Sequence, residues 1–151
     1  MLHRRSKGFT LIELLIVVAI IGIIAAIAIP NLLNAIDRGK QKRTMADLRS
    51  IGTAVEAYAV DTNIYPTATD ANALATVLQP IYIKKMPLQD GWNSNLVYQP
   101  ASSAGAGYTL KSTGKGGQIE SSPAGGKTQD FTKDIIFVDG QFTQWPDGVQ
   151  Q

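Results

Sequence analysis

The stretch RRSKGFTLIELLIVVAIIGIIAAIAIPNLLNAI, residues 4–36, places a carboxylate, Glu13, inside a long apolar run. From Phe9 to Ile29 the run is 21 residues, interrupted only by Thr10, Glu13 and Gly22. At about 1.5 Å per residue such a helix spans roughly 31 Å, one hydrocarbon thickness. Arg4, Arg5 and Lys7 precede it, and Asp37, Arg38 and Lys40 follow as mixed charge. The positive-inside bias therefore predicts a cytoplasmic N-terminus and export of the remainder. A central carboxylate costs a membrane helix about 2.5–3.5 kcal/mol. Near the edge, where Glu13 falls, the cost is lower, but the group still needs a partner.

Three readings of the span compete. Ala26-Ile27-Ala28 resembles the small-x-small site of a cleaved export signal, but the apolar region exceeds the usual length of about 7–15 residues and carries an acid. A plain signal anchor accounts for length and orientation and leaves Glu13 unexplained. A cut between Gly8 and Phe9 supplies the partner: a new α-amino cation at Phe9, one turn from Glu13 on the same helix face. The pair closes within one helix, or between staggered neighbouring helices, where it sets an axial register.

Residues 7–30, KGFTLIELLIVVAIIGIIAAIAIP, resemble the class III leader and N-terminal helix of type IV pilins and type II secretion pseudopilins. The motif is Gly-Phe-Thr-Leu-Ile-Glu ahead of an apolar run that ends in proline. The resemblance implies that a membrane-embedded prepilin peptidase cuts after Gly8 and N-methylates Phe9, with Glu13 the assembly carboxylate. Pro30 falls where the family has its helix proline. Proline removes a backbone donor and glycine weakens an interior turn by about 1 kcal/mol, so Gly22 and Pro30 bound the softest part of the helix. A simple kink is one consequence; the resemblance implies loosening on packing into a fibre.

The chain has 151 residues, room for one modest domain and an appendage. Beyond the three leader cations it carries eleven basic and twelve acidic side chains, which excludes the basic footprint of a nucleic-acid binder. Leu33, Ile36, Met45, Leu48, Ile51, Val55 and Tyr58 recur at helical spacing, with Arg38, Lys42, Arg43, Asp47, Arg49 and Glu56 elsewhere on the wheel. One continuous helix over about 9–60 is predicted, apolar all round at first and then docking one stripe on a head. Lys40, Lys42 and Arg43 form a solvated face.

Past the linker DTNIYPTATDAN, a short helix is predicted over 70–78, capped by Thr69 or Asp70 and stopped before Pro80. LVYQPAS and GYTLKST read as an antiparallel pair, residues 114–130 as Gly- and Ser-rich loop, and DIIFV with QFTQW as a hairpin over Asp139-Gly140. The expected fold class is α+β: a long N-terminal helix packed on a small antiparallel β-sheet head, as the pilin resemblance also implies. The expected organisation is a leader over 1–8, a transmembrane and polymerisation helix over 9–30, its amphipathic continuation over 31–61 and a head over 62–151.

The head adds to the resemblance. MPLQDGWNSNLVYQ is similar to the segment that major pseudopilins build around Asp-Pro-Trp-Gly, although here Gly91 and Trp92 follow Asp90 and the proline is absent. DIIFVDGQFTQWP resembles the C-terminal strand region of pseudopilin-like proteins. The resemblance also implies a calcium loop before the last strands, for which Glu120, Asp130 and Asp134 are the candidate ligands. The family's aspartate-rich spacing is missing, and Lys115, Lys127 and Lys133 intrude; a solvated loop is the alternative. Calcium takes about six to eight oxygens.

No enzymatic chemistry emerges. The chain has no cysteine, and its one histidine, His3, falls in the predicted leader, so the mature chain lacks a thiolate, a His-based triad or a His-rich metal site. TGKGG is no Walker A loop, because neither Ser nor Thr follows Lys115. Glu56, Asp61 and Asp70 have no acid–base spacing, and Trp92 and Trp145 read as packing or turn anchors.

The first functional reading is a structural subunit of a type II secretion-like pseudopilus. Its implied partners are its own copies, prepilin peptidase, an inner-membrane assembly platform and minor pseudopilins. It would begin as a single-pass inner-membrane protein and end in a periplasmic filament. The missing cysteines favour this over a type IV pilin of surface fibres, which usually carries a C-terminal disulfide loop. A membrane-anchored periplasmic binding domain that never polymerises is the third reading.

Overall fold

The computed structural model describes residues 8–147. The leader residues 1–7, with Arg4, Arg5, Lys7 and His3, lie outside the described residues. The chain divides into two compact units, one within the first 36 residues and one from Asp37 onward.

Helix α1 is continuous over Leu11–Thr62, within two residues of the predicted span at each end. The second unit therefore starts well before residue 62, because the latter half of α1 supplies its core. Leu48, Ile51, Ala54 and Val55 are fully or almost fully buried there, on the stripe that the spacing defines. Leu33 and Ile36, from the same predicted stripe, are exposed. Helix α2, Ala71–Leu78, begins at Asp70, whose side chain accepts the Ala73 N–H at 2.8 Å. Its buried face is Ala71, Leu74, Ala75 and Leu78, one stripe of an amphipathic helix.

Five strands follow: β1 Val97–Pro100, β2 Tyr108–Ser112, β3 Gly126–Thr128, β4 Ile135–Val138 and β5 Gln141–Pro146. Their order in the sheet is β1-β2-β4-β5-β3. β1/β2, β2/β4 and β4/β5 are antiparallel. The β4–β5 turn has positive φ at both central residues, 45° at Asp139 and 85° at Gly140, as a two-residue hairpin turn of the primed type requires. Asp139 also accepts the Tyr108 N–H at 2.7 Å, fastening the turn to β2.

One expectation is corrected. The stretch 114–130 is not all loop, because β3 pairs with β5 in parallel and makes the sheet mixed. Three residues, Gly-Lys-Thr, carry no alternating apolar pattern, so no periodicity marks them. They form a strand because β5 presents an open edge.

Inward-facing Tyr98, Tyr108, Leu110, Ile135 and Phe137 complete the core against α1 and α2. At Gly52 of α1 an added Cβ would overlap the Phe137 ring, and that ring is itself held edge-on by Phe142 at 4.8 Å. Gly52→Ala is expected to destabilise the protein by about 1–3 kcal/mol through overpacking, despite a helix-propensity gain of about 1 kcal/mol. Denaturant unfolding measures this; a stability equal to wild type would mean that the ring yields freely.

Candidate functional site

The first unit is a bare apolar helix. Every Leu, Ile and Val from Leu11 to Ile36 is between 45% and 87% exposed, and α1 is long and apolar enough to cross a membrane. Phe9, next to the predicted cut, is exposed as well.

Glu13 lies in the first turn and already has a partner in the uncut chain. Its Oε2 accepts the Thr10 N–H at 2.8 Å and the Thr10 hydroxyl at 2.7 Å, and its own N–H donates to Thr10 Oγ1 at 3.3 Å. Thr10 and Glu13 thus form a reciprocal capping box, with a carboxylate at the positive end of the helix dipole. The Thr-x-x-Glu spacing was the signal for this cap, and attention to the buried charge alone overlooks it.

Pro30 stands inside α1 without interrupting it. A proline here leaves the Ala26 carbonyl without its usual N–H. One residue on, the Asn31 amide donates back to the Ile27 carbonyl at 3.1 Å, which ties its own polar group locally. Around Gly22 an added Cβ would meet nothing within 4 Å, so packing within the chain does not require a glycine there.

In the second unit the Asp90-Gly91-Trp92 segment clasps α1. The Trp92 indole N–H donates to Asp37 Oδ1 at 3.0 Å, and Lys115 Nζ donates to Asp37 Oδ2 at 2.9 Å. The Gly91 N–H donates to Thr44 Oγ1 at 2.9 Å. A side chain at 91 would strike the Lys40 carbonyl, and a proline there would lack the donor. Gly91 thus occupies a position with no room for a side chain and with a use for its N–H. Asp90 closes the loop, accepting the N–H groups of Trp92 and Ser94 on Oδ1 and the Ser112 hydroxyl on Oδ2. Burial pushes the Asp37 carboxyl up, but hydrogen bonds from Lys115 and Trp92, with the charges of Lys115 and Lys40, outweigh it and leave its pKa below the ordinary 3.8.

The other acids of the head are structural. Glu56 accepts the Tyr65 and Tyr108 hydroxyls, each at 3.1 Å. Asp61 accepts the Tyr82 hydroxyl at 3.0 Å. The candidate calcium ligands are not gathered as a ligand set. Glu120 binds Lys133 and Gln144, Asp134 accepts the Glu120 N–H, and Asp130 accepts the Thr132 N–H in its own turn. Among the described residues no group of three or more acidic, His or Cys side chains is arranged to hold a metal. As arranged, these residues do not fit a calcium ion.

A helix apolar in its first half, whose second half completes the core of a small α+β head, is the architecture of pilin-like subunits. Residues 3–29 match the family described as Prokaryotic N-terminal methylation motif, and residues 31–132 match Type II secretion system (T2SS), protein G. The type II secretion system core protein G of Aeromonas hydrophila is 32% identical over 132 residues, covering 80% of this chain and 82% of the relative. That of Pseudomonas aeruginosa is 32% identical over 131 residues, covering 78% and 91%. That of Vibrio cholerae is 34% identical over 106 residues, covering 63% and 71%. No solved structure matches the chain. The chain belongs to the type II secretion system protein G family, the major pseudopilins, and its methylation motif marks it for prepilin-peptidase processing.

The clasp makes a pH prediction. Asp37 has a folded pKa below its unfolded value, so its carboxylate stabilises the head at neutral pH, and that contribution is lost as pH falls below 3.8 through the folded value. Asp37→Asn is expected to cost about 1.5–3 kcal/mol at pH 7, the size of hydrogen bonds to a charged group. The gap from wild type should narrow as pH falls below 3.8, as read by urea unfolding at each pH. A gap independent of pH would assign the loss to shape alone.

Proposed function

We propose that this chain is the structural subunit of a type II secretion-like pseudopilus in the bacterial cell envelope. It is cleaved between Gly8 and Phe9, N-methylated at Phe9, held in the inner membrane by residues 9–30 and then drawn into a periplasmic filament that helps export folded proteins. Its partners in this reading are further copies of itself, prepilin peptidase, an inner-membrane assembly platform and minor pseudopilins. Its role is mechanical and needs no catalytic group.

The observation that carries the reading is the exposed apolar helix, with Glu13 the only charged residue between Phe9 and Ile36. Lipid tails and neighbouring apolar helices are similar solvents, so the hydrophobic effect holds the helix in either place without strongly preferring one. Polar terms then decide register. Cleavage before Phe9 creates an ammonium one turn from Glu13, and a staggered neighbour supplies the same cation to a carboxylate that otherwise only caps its own helix. Gly22 and Pro30 supply the compliance to repack.

Three experiments test this. Mass spectrometry of the mature protein is expected to give an N-terminus at methylated Phe9; retention of residues 1–8 would overturn the reading. Glu13→Gln keeps a side chain able to close the capping box and removes the charge. Its filament yield is expected to fall about tenfold or more with membrane insertion intact, since a charge-assisted hydrogen bond is worth roughly 1.5–3 kcal/mol. A wild-type yield would reduce Glu13 to a helix cap. Deletion of the gene should abolish secretion of exported enzymes; lost surface fibres with normal secretion would point to a surface pilin instead.

A further inference from the structure

The stretch between β2 and β4 contains only a 3-10 turn, Gly114–Gly116, and the three residues of β3. So long a loop is entropically costly to order and needs ties. Those ties converge on Glu120. Its N–H donates to Asp134 Oδ2 at 3.0 Å, its Oε1 accepts the Lys133 ammonium, and its Oε2 accepts the Gln144 amide at 3.0 Å. Gln144 also donates to the Asp134 carbonyl at 2.9 Å and accepts the Gly125 N–H at 3.1 Å. Residues 120 and 125 of the loop are thereby stitched to the start of β4 and to β5. Asp134 and Gln144 are each 1% exposed, so water competes little for the bonds those two make, while the Glu120–Lys133 pair is partly exposed.

We infer that Lys133 is the resident cation of this loop: its ammonium holds Glu120, one of the three carboxylates that the family resemblance assigns to calcium, and the head keeps its stability without a divalent ion. Both Glu120 oxygens are engaged, and Asp130 Oδ1 is committed to Thr132. Asp134 Oδ1, buried without a hydrogen bond, and Asp130 Oδ2 would supply two carboxylate oxygens, far short of the about six to eight oxygens that calcium takes. A divalent ion entering here would meet the Lys133 charge at close range and would have to break its contact with Glu120 first. Lys127, which lines one cavity with Glu120, Asp130 and Lys133, is paired with Asp147 at 3.7 Å and adds a second positive charge. Lys133 and Gln144 together hold the Glu120 carboxyl below its ordinary range despite partial burial. The inference concerns the head and stands whether or not the chain polymerises.

The test uses the full chain in detergent micelles, stripped with EGTA. Adding about 5 mM calcium, above the range of extracellular calcium modules, is expected to move the thermal midpoint by less than about 1 °C and to leave terbium luminescence unsensitised. Lys133→Met is expected to lower the midpoint by about 2–5 °C in EGTA, the scale of a partly exposed ion pair in a domain of this size, while Lys133→Arg stays near wild type. A calcium-dependent rise in the wild-type midpoint would overturn the inference, as would a Lys133→Met variant that melts like wild type. Should Lys133→Met fail to accumulate, the wild-type calcium comparison decides alone.

Discussion

From Leu11 to Ile36, α1 turns apolar side chains outward in every direction, and water is a poor solvent for all of them. Covering one such Leu or Ile is worth about 1.5–3 kcal/mol, so a segment of this length always has a cover, lipid in one setting and like helices in another. The chain's biology follows from that constraint. In the proposed function, a subunit passing from bilayer to fibre exchanges one apolar environment for another, and the few polar groups along the way determine where it stops. Glu13 is the foremost of these. In the uncut chain its carboxylate is occupied by Thr10, so the precursor carries no stranded charge into the membrane.

The second unit covers its apolar side chains itself. Outside α1 and α2 its core combines Met86, Leu96, Leu110, Ile135 and Ile136 with aromatic rings, Tyr98, Tyr108 and Phe137 being buried together. Tyr108 has a hydroxyl to satisfy, and Glu56 on α1 satisfies it. Polar ties do much of the fastening elsewhere. The Asp37–Trp92–Lys115 clasp secures the Asp90 turn to α1, and the Glu120–Lys133–Gln144 cluster secures the long loop to the sheet. Each joins residues far apart in the chain, and in the first the Asp37 carboxylate lies where burial strengthens the bonds it makes.

The two loops relate differently to the family pattern. At Asp90-Gly91-Trp92 the glycine suits its place, because the backbone of residue 91 lies against α1 and donates to Thr44. At residues 120–134 the departure, in the inference drawn above, is chemical: a lysine does the work that the resemblance gives to a metal. In both cases the connection is kept while the means of making it changes.

The extent of α1, the cap at Asp70, the Asp139-Gly140 hairpin and the leader motif were legible in the sequence, because each is encoded by neighbours within a few residues: apolar periodicity, an Asx cap, a turn dipeptide, a contiguous motif. Thr10 and Glu13 belonged to that class too, since a capping box is a local signal. Three features were decided only by the tertiary structure. They are the parallel pairing of β3 with the edge of β5, the hold of Trp92 and Lys115 on Asp37, and the capture of Glu120 by Lys133 and Gln144. Their partners lie 13 to 78 residues apart or pair without any alternating pattern. Contacts of that kind depend on where the folded backbone brings distant side chains, which no local spacing specifies.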